Sequence, residues 1–376
     1  MSKRLLALVC LIFAGVLSSQ RESLIAQASY CTTGGPQLWA NLAACGWPGP
    51  ANTGFPAGTT LVNTSGRTIT TNNTVIDGER ISGRLTIRAA NVTIRNSYIS
   101  WDGGGANGSG VITVGSGASA IIENVEINGL NHTHSCIWHE GSSMTARAVN
   151  CYGVNDGIFS WASTGRADSG DNVSIADSYF HDFTTNAANG HIDGYQTEGA
   201  AHGRITHNTY NMSGEATSAI SIWNTYKSSD DWVIENNLFT GAGFTLYAED
   251  YIGSGNSPAA ENVTNSPVGG YSVTNIKFLN NKFSTSQFPH GASNTKPCVG
   301  NWGTWFYRGK WSPYFGGPTD LWNQGGSLRS GNVVIESGQN IDRGGPSGCE
   351  GYNSSPAAPV SGTTPAAPTN LRIISS

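Results

Sequence analysis

Apolar and polar residues alternate in short runs along most of the chain, and the runs recur. The repeated unit is apolar-x-Asn-x-x-apolar, seen at Ile94 to Ile99, Ile122 to Ile127, Ala148 to Gly153, Ile175 to Phe180, Ile205 to Tyr210, Ile234 to Phe239 and Phe278 to Phe283. Its third positions, Asn96, Asn124, Asn150, Asp177, His207, Asn236 and Asn280, follow one another in steps of 28, 26, 27, 30, 29 and 44 residues. A period of this size marks a solenoid, whose units cannot bury their apolar face alone and must stack. Within each unit the segments are strand-sized, alternate with period two and are separated by Asn- and Gly-rich turns, with no Lys/Glu-rich helical stretch between them. The Leu frame of leucine-rich repeats and the long blades of propellers are both missing. The pattern therefore predicts an all-β parallel β-helix with three short strands per coil, its recurring Asn at a tight bend where side-chain amides stack into a ladder. The irregular steps place insertions after the third, fourth and sixth copies, where insertions in a solenoid build the walls of a groove.

Composition narrows the function. Of 376 residues only 12% are charged, 49 are Gly and the formal net charge is -5. Disorder and nucleic-acid binding both call for higher charge, so neither class fits. At the N-terminus, Lys3 and Arg4 precede an apolar run from Leu5 to Leu17, and Ala26-Gln27-Ala28 offers a small-x-small cleavage site. This predicts a secretory signal peptide, and no later run approaches the roughly 18 apolar residues of a membrane span. The expected organisation is a signal peptide over 1–28, a disulfide-bearing N-terminal cap segment over 29–57, the β-helix with an aromatic C-terminal cap over 58–343, and a Gly/Pro/Ser/Thr-rich flexible tail over 344–376. Export to an oxidising compartment, secreted or periplasmic, suits the six cysteines left after cleavage. Their order makes Cys31 with Cys45, Cys136 with Cys151 and Cys298 with Cys349 the economical pairing, although sequence alone does not choose.

One class of strand can be aligned across the repeats: Gly110 to Val114, Ser135 to His139, Asp156 to Ser160, Asp193 to Thr197, Ser218 to Ile222 and Gly243 to Tyr247. With the central residue inward, alternation puts Trp138, Phe159, Gln196, Ser221 and Leu246 on the outer face. Asp156 and Asp193 then occupy the same strand-start position on strands about 4.8 Å apart. Two carboxylates that close raise one another's pKa, as an acid and base pair requires, or share a cation such as Ca²⁺. Asp-Gly is equally a turn signal, in which the carboxylate accepts backbone N–H bonds. His181, Asp182, His191, Asp193, Glu198, His202, Arg204 and His207 fall within one repeat of a chain with only eight His. From Trp302 to Trp322 a run of aromatic residues reads both as a sugar-stacking platform and as the cap of the last coils.

The strings TVIDGERISGRLTIRAANVTIRNSYIS and GHIDGYQTEGAAHGRITHNTYNM are similar to those of secreted right-handed parallel β-helix proteins of the pectin-lyase-like superfamily, over about residues 58 to 340. The resemblance implies the handedness and a polysaccharide partner. It does not imply one reaction, because the superfamily includes lyases, hydrolases and noncatalytic adhesins. The expected function is β-elimination on a uronic-acid-containing polysaccharide. The alternatives are a glycoside hydrolase using an Asp/Glu pair and a noncatalytic carbohydrate-binding or cell-surface protein. Asp156, His191 and Asp193 are the candidate catalytic residues, and Trp138, Gln196, Glu198, Arg204 and Trp223 the candidate substrate contacts. For elimination, His191, Tyr226 or Lys227 would serve as base, and Arg204, or Ca²⁺ held by Asp156, Asp193 and Glu198, would neutralise the substrate carboxylate. The sequence requires no cofactor, and the expected protein is a monomer with no nucleic-acid partner and no membrane span.

Overall fold

A computed structural model describes residues 28–104, 108–162, 166–184, 191–212, 216–249, 271–286, 303–308, 322 and 325–342. They form an all-β protein in which every pairing between strands is parallel and links a segment to its counterpart on a neighbouring repeat. Three registers of inward side chains can be followed. One runs Leu85, Ile112, Ile137, Ile158, Tyr195, Ile220, Leu246. A second runs Ile94, Ile122, Ala146, Ile175, Ile205, Ile234, Phe278. The third runs Ile99, Ile127, Cys151, Phe180, Tyr210, Phe239, Phe283. All of these side chains are buried in one core, and each large one stabilises the fold by about 1.5–3 kcal/mol. In the third register the rings stack, with centroids 4.7 Å apart for Phe180 and Tyr210 and 5.2 Å for Tyr210 and Phe239.

The bend and the ladder belong to different residues. Asn96, Asn124, Asp177, His207, Asn236 and Asn280 all adopt left-handed backbone near φ +50°, a conformation Asn and Asp accept more readily than most residues. In the third copy the left-handed residue is Ala148, with φ 51°, so that copy begins two residues earlier than the motif suggests. The ladder is made by the next residue along. Buried Asn208, Asn237, Asn281 and Asn332 pass one hydrogen bond up the stack, Nδ2 to Oδ1, at 3.0, 3.0 and 3.1 Å. The Asp342 carboxylate accepts the last one at 2.7 Å. Fully satisfied amides of this kind can be buried without penalty.

Cys31 is bonded to Cys45 and Cys136 to Cys151. Cys298 and Cys349 lie outside the described residues, as do residues 1–27 of the expected signal peptide, most of the aromatic run and the expected C-terminal tail. The N-terminal segment carries two short helices, Tyr30–Thr33 and Pro36–Ala40. It lies along the flank of the repeats: Leu38 and Leu42 pack with Tyr179 and Leu238, Trp39 Nε1 donates to Ser284 Oγ at 3.1 Å, and Trp47 stacks on His207. Among the described residues no helix is long and apolar enough to cross a membrane.

Candidate functional site

Opposite the first inward register, the same strands present Thr113, Trp138, Phe159, Gln196, Ser221 and Tyr247 in line on their other face. The expected alignment holds from Ile112 to Ile220 and slips by one residue at the last strand. There Leu246 pairs with Ile220 and is buried, and Tyr247 takes the outer place assigned to Leu246. The slip follows the left-handed residues Gly241 and Ala242 just before that strand. Trp138 and Phe159 stack face to face at 4.6 Å, and Trp161 continues the apolar wall, 5.5 Å from Trp138 and 4.7 Å from Tyr226. With Trp223 they line a cleft of about 580 Å³ whose polar groups are His134, Glu140, Asp156, His191, Gln196 and Glu198.

Asp156 and Asp193 sit level on neighbouring strands, as their register requires. They play different parts. Asp156 reaches the cleft, whereas Asp193 is fully buried behind it. The Asp193 backbone N–H donates to Asp156 Oδ1 at 3.0 Å, and the Ser218 hydroxyl donates to Asp193 Oδ1. Asp193 Oδ2 is buried with no hydrogen-bond partner. Burial, and then the charge of Asp193, push the Asp156 carboxyl well above the usual carboxylate range. Burial raises Asp193 to about 7 against the opposing bond from Ser218. Both features of the Asp-Gly pattern are thus present at once, a backbone bond at a strand start and two buried carboxyls with raised pKa values, that of Asp156 raised in part by the charge of Asp193.

The other cleft groups are tuned by the same cause. Burial raises the Glu198 carboxyl to about 7 and holds His191 below its ordinary value. His134 is pressed to about 4, again by burial. At neutral pH both imidazoles are therefore uncharged, and Glu198 spends much of its time protonated. His134 was not foreseen from the sequence. Its Nδ1 lies 2.7 Å from Ser135 Oγ, its Nε2 lies 3.6 Å from Asp156 Oδ2, and its ring meets the edges of Trp138 and Phe159. The available signal was its place directly before Ser135, which pairs with Asp156.

Several candidates lie elsewhere. Arg204 is on a different strand face, where its guanidinium bonds the Asp231 carboxylate at 3.0 and 3.1 Å and two backbone carbonyls, so it does not reach the cleft. Lys227 donates to Asp171 Oδ1 at 2.5 Å and to the Ala167 carbonyl, which commits its ammonium. His181 contacts Asp182 and Asn150, His202 contacts Asp231, and His207 contacts Asp177 and the Gly46 carbonyl. The linear cluster is thus spread around the repeat, and His191, Asp193, Gln196 and Glu198 are its members at or behind the cleft. Among the described residues no three His, Cys, Asp or Glu side chains converge as a metal cage.

Fold and site together define an all-β protein of stacked parallel strands carrying an aromatic-walled cleft with uncharged imidazoles and proton-bearing carboxyls. No protein-family model matches the chain, and no curated protein matches it. Among solved structures, one described as a new PL6 alginate lyase in complex with a trisaccharide is similar at 11% identity, covering 81% of this chain and 84% of that one with a TM-score of 0.19. A likeness that slight bears on neither the reaction nor the substrate.

Proposed function

We propose that this chain is a right-handed parallel β-helix with three short strands per coil that cleaves a uronic-acid-containing polysaccharide by β-elimination. One observation carries the reading: an uncharged imidazole and a carboxyl with a pKa near neutrality share a cleft floored by stacked aromatic rings. Elimination beside a uronate needs a base for the C5 proton, an acid for the departing oxygen and a group that stabilises the charge gathering on the substrate carboxylate. His191 takes the C5 proton, the C5–H electrons become the C4–C5 double bond, the C4–O bond breaks, and Glu198 gives its proton to the leaving oxygen. Asp156, kept uncharged by its surroundings, donates a hydrogen bond to the substrate carboxylate together with the Gln196 amide, as a carboxyl held neutral in a dry site can. Asp193 is a positioning residue whose backbone N–H holds Asp156 Oδ1, which leaves Oδ2, with the neutral His134 ring beside it, to carry the proton. Trp138, Phe159, Trp161 and Trp223 bind the apolar faces of the sugar rings.

The two disulfides fit a protein of an oxidising compartment, and export by the N-terminal signal and action as a monomer belong to the same proposal. A panel of uronic-acid polymers, followed both by ultraviolet absorbance of unsaturated ends and by reducing-end release, tests the reaction. Unsaturated product supports elimination. Reducing ends without unsaturation would point to hydrolysis with Asp156 and Glu198 as the pair, and neither signal over the panel would leave a binding protein. Loss of activity with a chelator, restored by Ca²⁺, would show that the reaction takes a Ca²⁺ ion.

A further inference from the structure

Along the strand face that carries the cleft, on the side toward the N-terminus, lies a second hollow of about 490 Å³, lined among others by Arg84, Arg88, Thr86, Thr113, Trp138 and Glu140. It adjoins the first, because Gly108, Trp138 and Glu140 line both. We propose that this hollow is an anionic-sugar subsite, in which the Arg84 and Arg88 guanidiniums take the carboxylate of a uronic acid several residues along the polymer from the bond being cleaved. The inference rests on the reading of the neighbouring cleft as the place where such a polymer is held.

Alternation puts positions 84, 86 and 88 on one face, and Thr86 pairs with Thr113, which pairs with Trp138. The outer-face line of the cleft thus runs straight into the arginines. Arg84 is half-buried, and its Nε and Nη2 both donate to Thr113 Oγ1, at 3.2 and 2.8 Å, while its guanidinium lies over the Trp101 ring. Neither Arg84 nor Arg88 forms an ion pair with a carboxylate among the described residues, in contrast to Arg67, Arg95, Arg147, Arg166 and Arg204. Glu140, the one acid lining the hollow among the described residues, accepts the Trp138 indole N–H at 2.9 Å. Two cations against one occupied anion leave a positive hollow on an acidic protein, and burial already weighs against the Arg84 charge. A guanidinium fork matches a carboxylate in geometry and charge. Three strand spacings, about 14 Å, separate Thr86 from Phe159, which is longer than one sugar residue, so only an oligomer engages both places.

Binding by calorimetry and turnover of the same uronic-acid polymer, for the parent, Arg88→Ala and the Arg84→Ala/Arg88→Ala double variant, test this, with circular dichroism to show that each variant folds. Because Arg88 is exposed, its single variant keeps the test valid should loss of Arg84 disturb Trp101. The expected result is about a tenfold weaker affinity for each charge-assisted pair lost, growing with oligomer length and absent for a neutral polysaccharide. Unchanged affinity of the folded variants for a polymer the parent cleaves overturns the subsite and leaves the lyase reading standing. Arginine-dependent binding without cleavage does the reverse. A parent that neither binds nor cleaves uronate polymers overturns both.

Discussion

The asparagine ladder from Asn208 to Asn332 and the acid pair Asp156 and Asp193 are both stacks of polar side chains on successive repeats, and both are buried. In the ladder every amide donates upward and accepts from below, so the low dielectric strengthens each bond. In the acid pair the stacked groups are alike, neither can donate unless it keeps a proton, and Asp193 Oδ2 is left without a partner. The same geometry that satisfies amides thus forces carboxyls to hold protons near neutral pH. A buried, unsatisfied acid pair beside an aromatic cleft is what a functional site looks like when the surrounding fold supplies the stability it gives up.

Substitutions can break this contrast, and the largest effect is expected at the cleft. His191→Ala should lower the rate of elimination by about 10²- to 10⁴-fold, the usual contribution of a positioned base, while the thermal midpoint stays close to that of the parent. Circular dichroism melts run beside the activity assay separate lost chemistry from lost structure.

Next comes the acid pair. Asp193 has a folded pKa of about 7 against an ordinary 3.8, so the unfolded chain ionises first as pH rises. The penalty is absent below the ordinary value, grows through the interval and is complete above about 7, costing the parent up to about 4 kcal/mol there. Asp193→Asn cannot ionise, and denaturant melts should show a markedly smaller loss of stability between acid and neutral pH. A parent profile that runs parallel to that of Asp193→Asn across this window would contradict the raised pKa.

The ladder should respond in the opposite manner. Asn237→Ala leaves the Asn208 backbone N–H and amide without their acceptor and removes a donor to Asn281. A loss of about 2–4 kcal/mol is expected at every pH, with turnover of the surviving folded protein unaltered. The smallest effect is expected at Arg204: its pair with Asp231 is exposed and remote from the cleft, so Arg204→Ala should change stability by less than about 1 kcal/mol and leave activity intact.

That last case shows where the sequence stops being legible. Period and alternation specify which residues share a register, because every repeat must present an apolar residue inward at the same place. Ile112, Ile137, Ile158, Tyr195 and Ile220 line up as their spacing demands. The ladder was displaced by one residue, because Asn at a left-handed bend and Asn at the next position read alike in a string such as Glu235-Asn236-Asn237. The copy at Ala148 was displaced by two, since Val149-Asn150-Cys151 imitates the motif without the bend. Proximity in sequence misled most at the site. A repeat travels right around the molecule, so His181, Arg204 and His207 are close to Asp193 along the chain and face other directions. His134, more than fifty residues earlier, lies beside Asp156 because register, unlike sequence distance, brings successive repeats into contact.

The central claim is that a neutral imidazole and a protonated carboxyl act together in one cleft. It is tested most directly by the rate at which unsaturated ends form from a uronic-acid polymer across pH, for the parent and for Glu198→Gln. The parent should show a bell, falling on the acid side as His191 gains a proton and on the alkaline side near pH 7 as Glu198 loses one. Glu198→Gln should be slower throughout and lack the alkaline limb. An alkaline limb that persists unchanged in Glu198→Gln, or cleavage that yields no unsaturated ends, would contradict it.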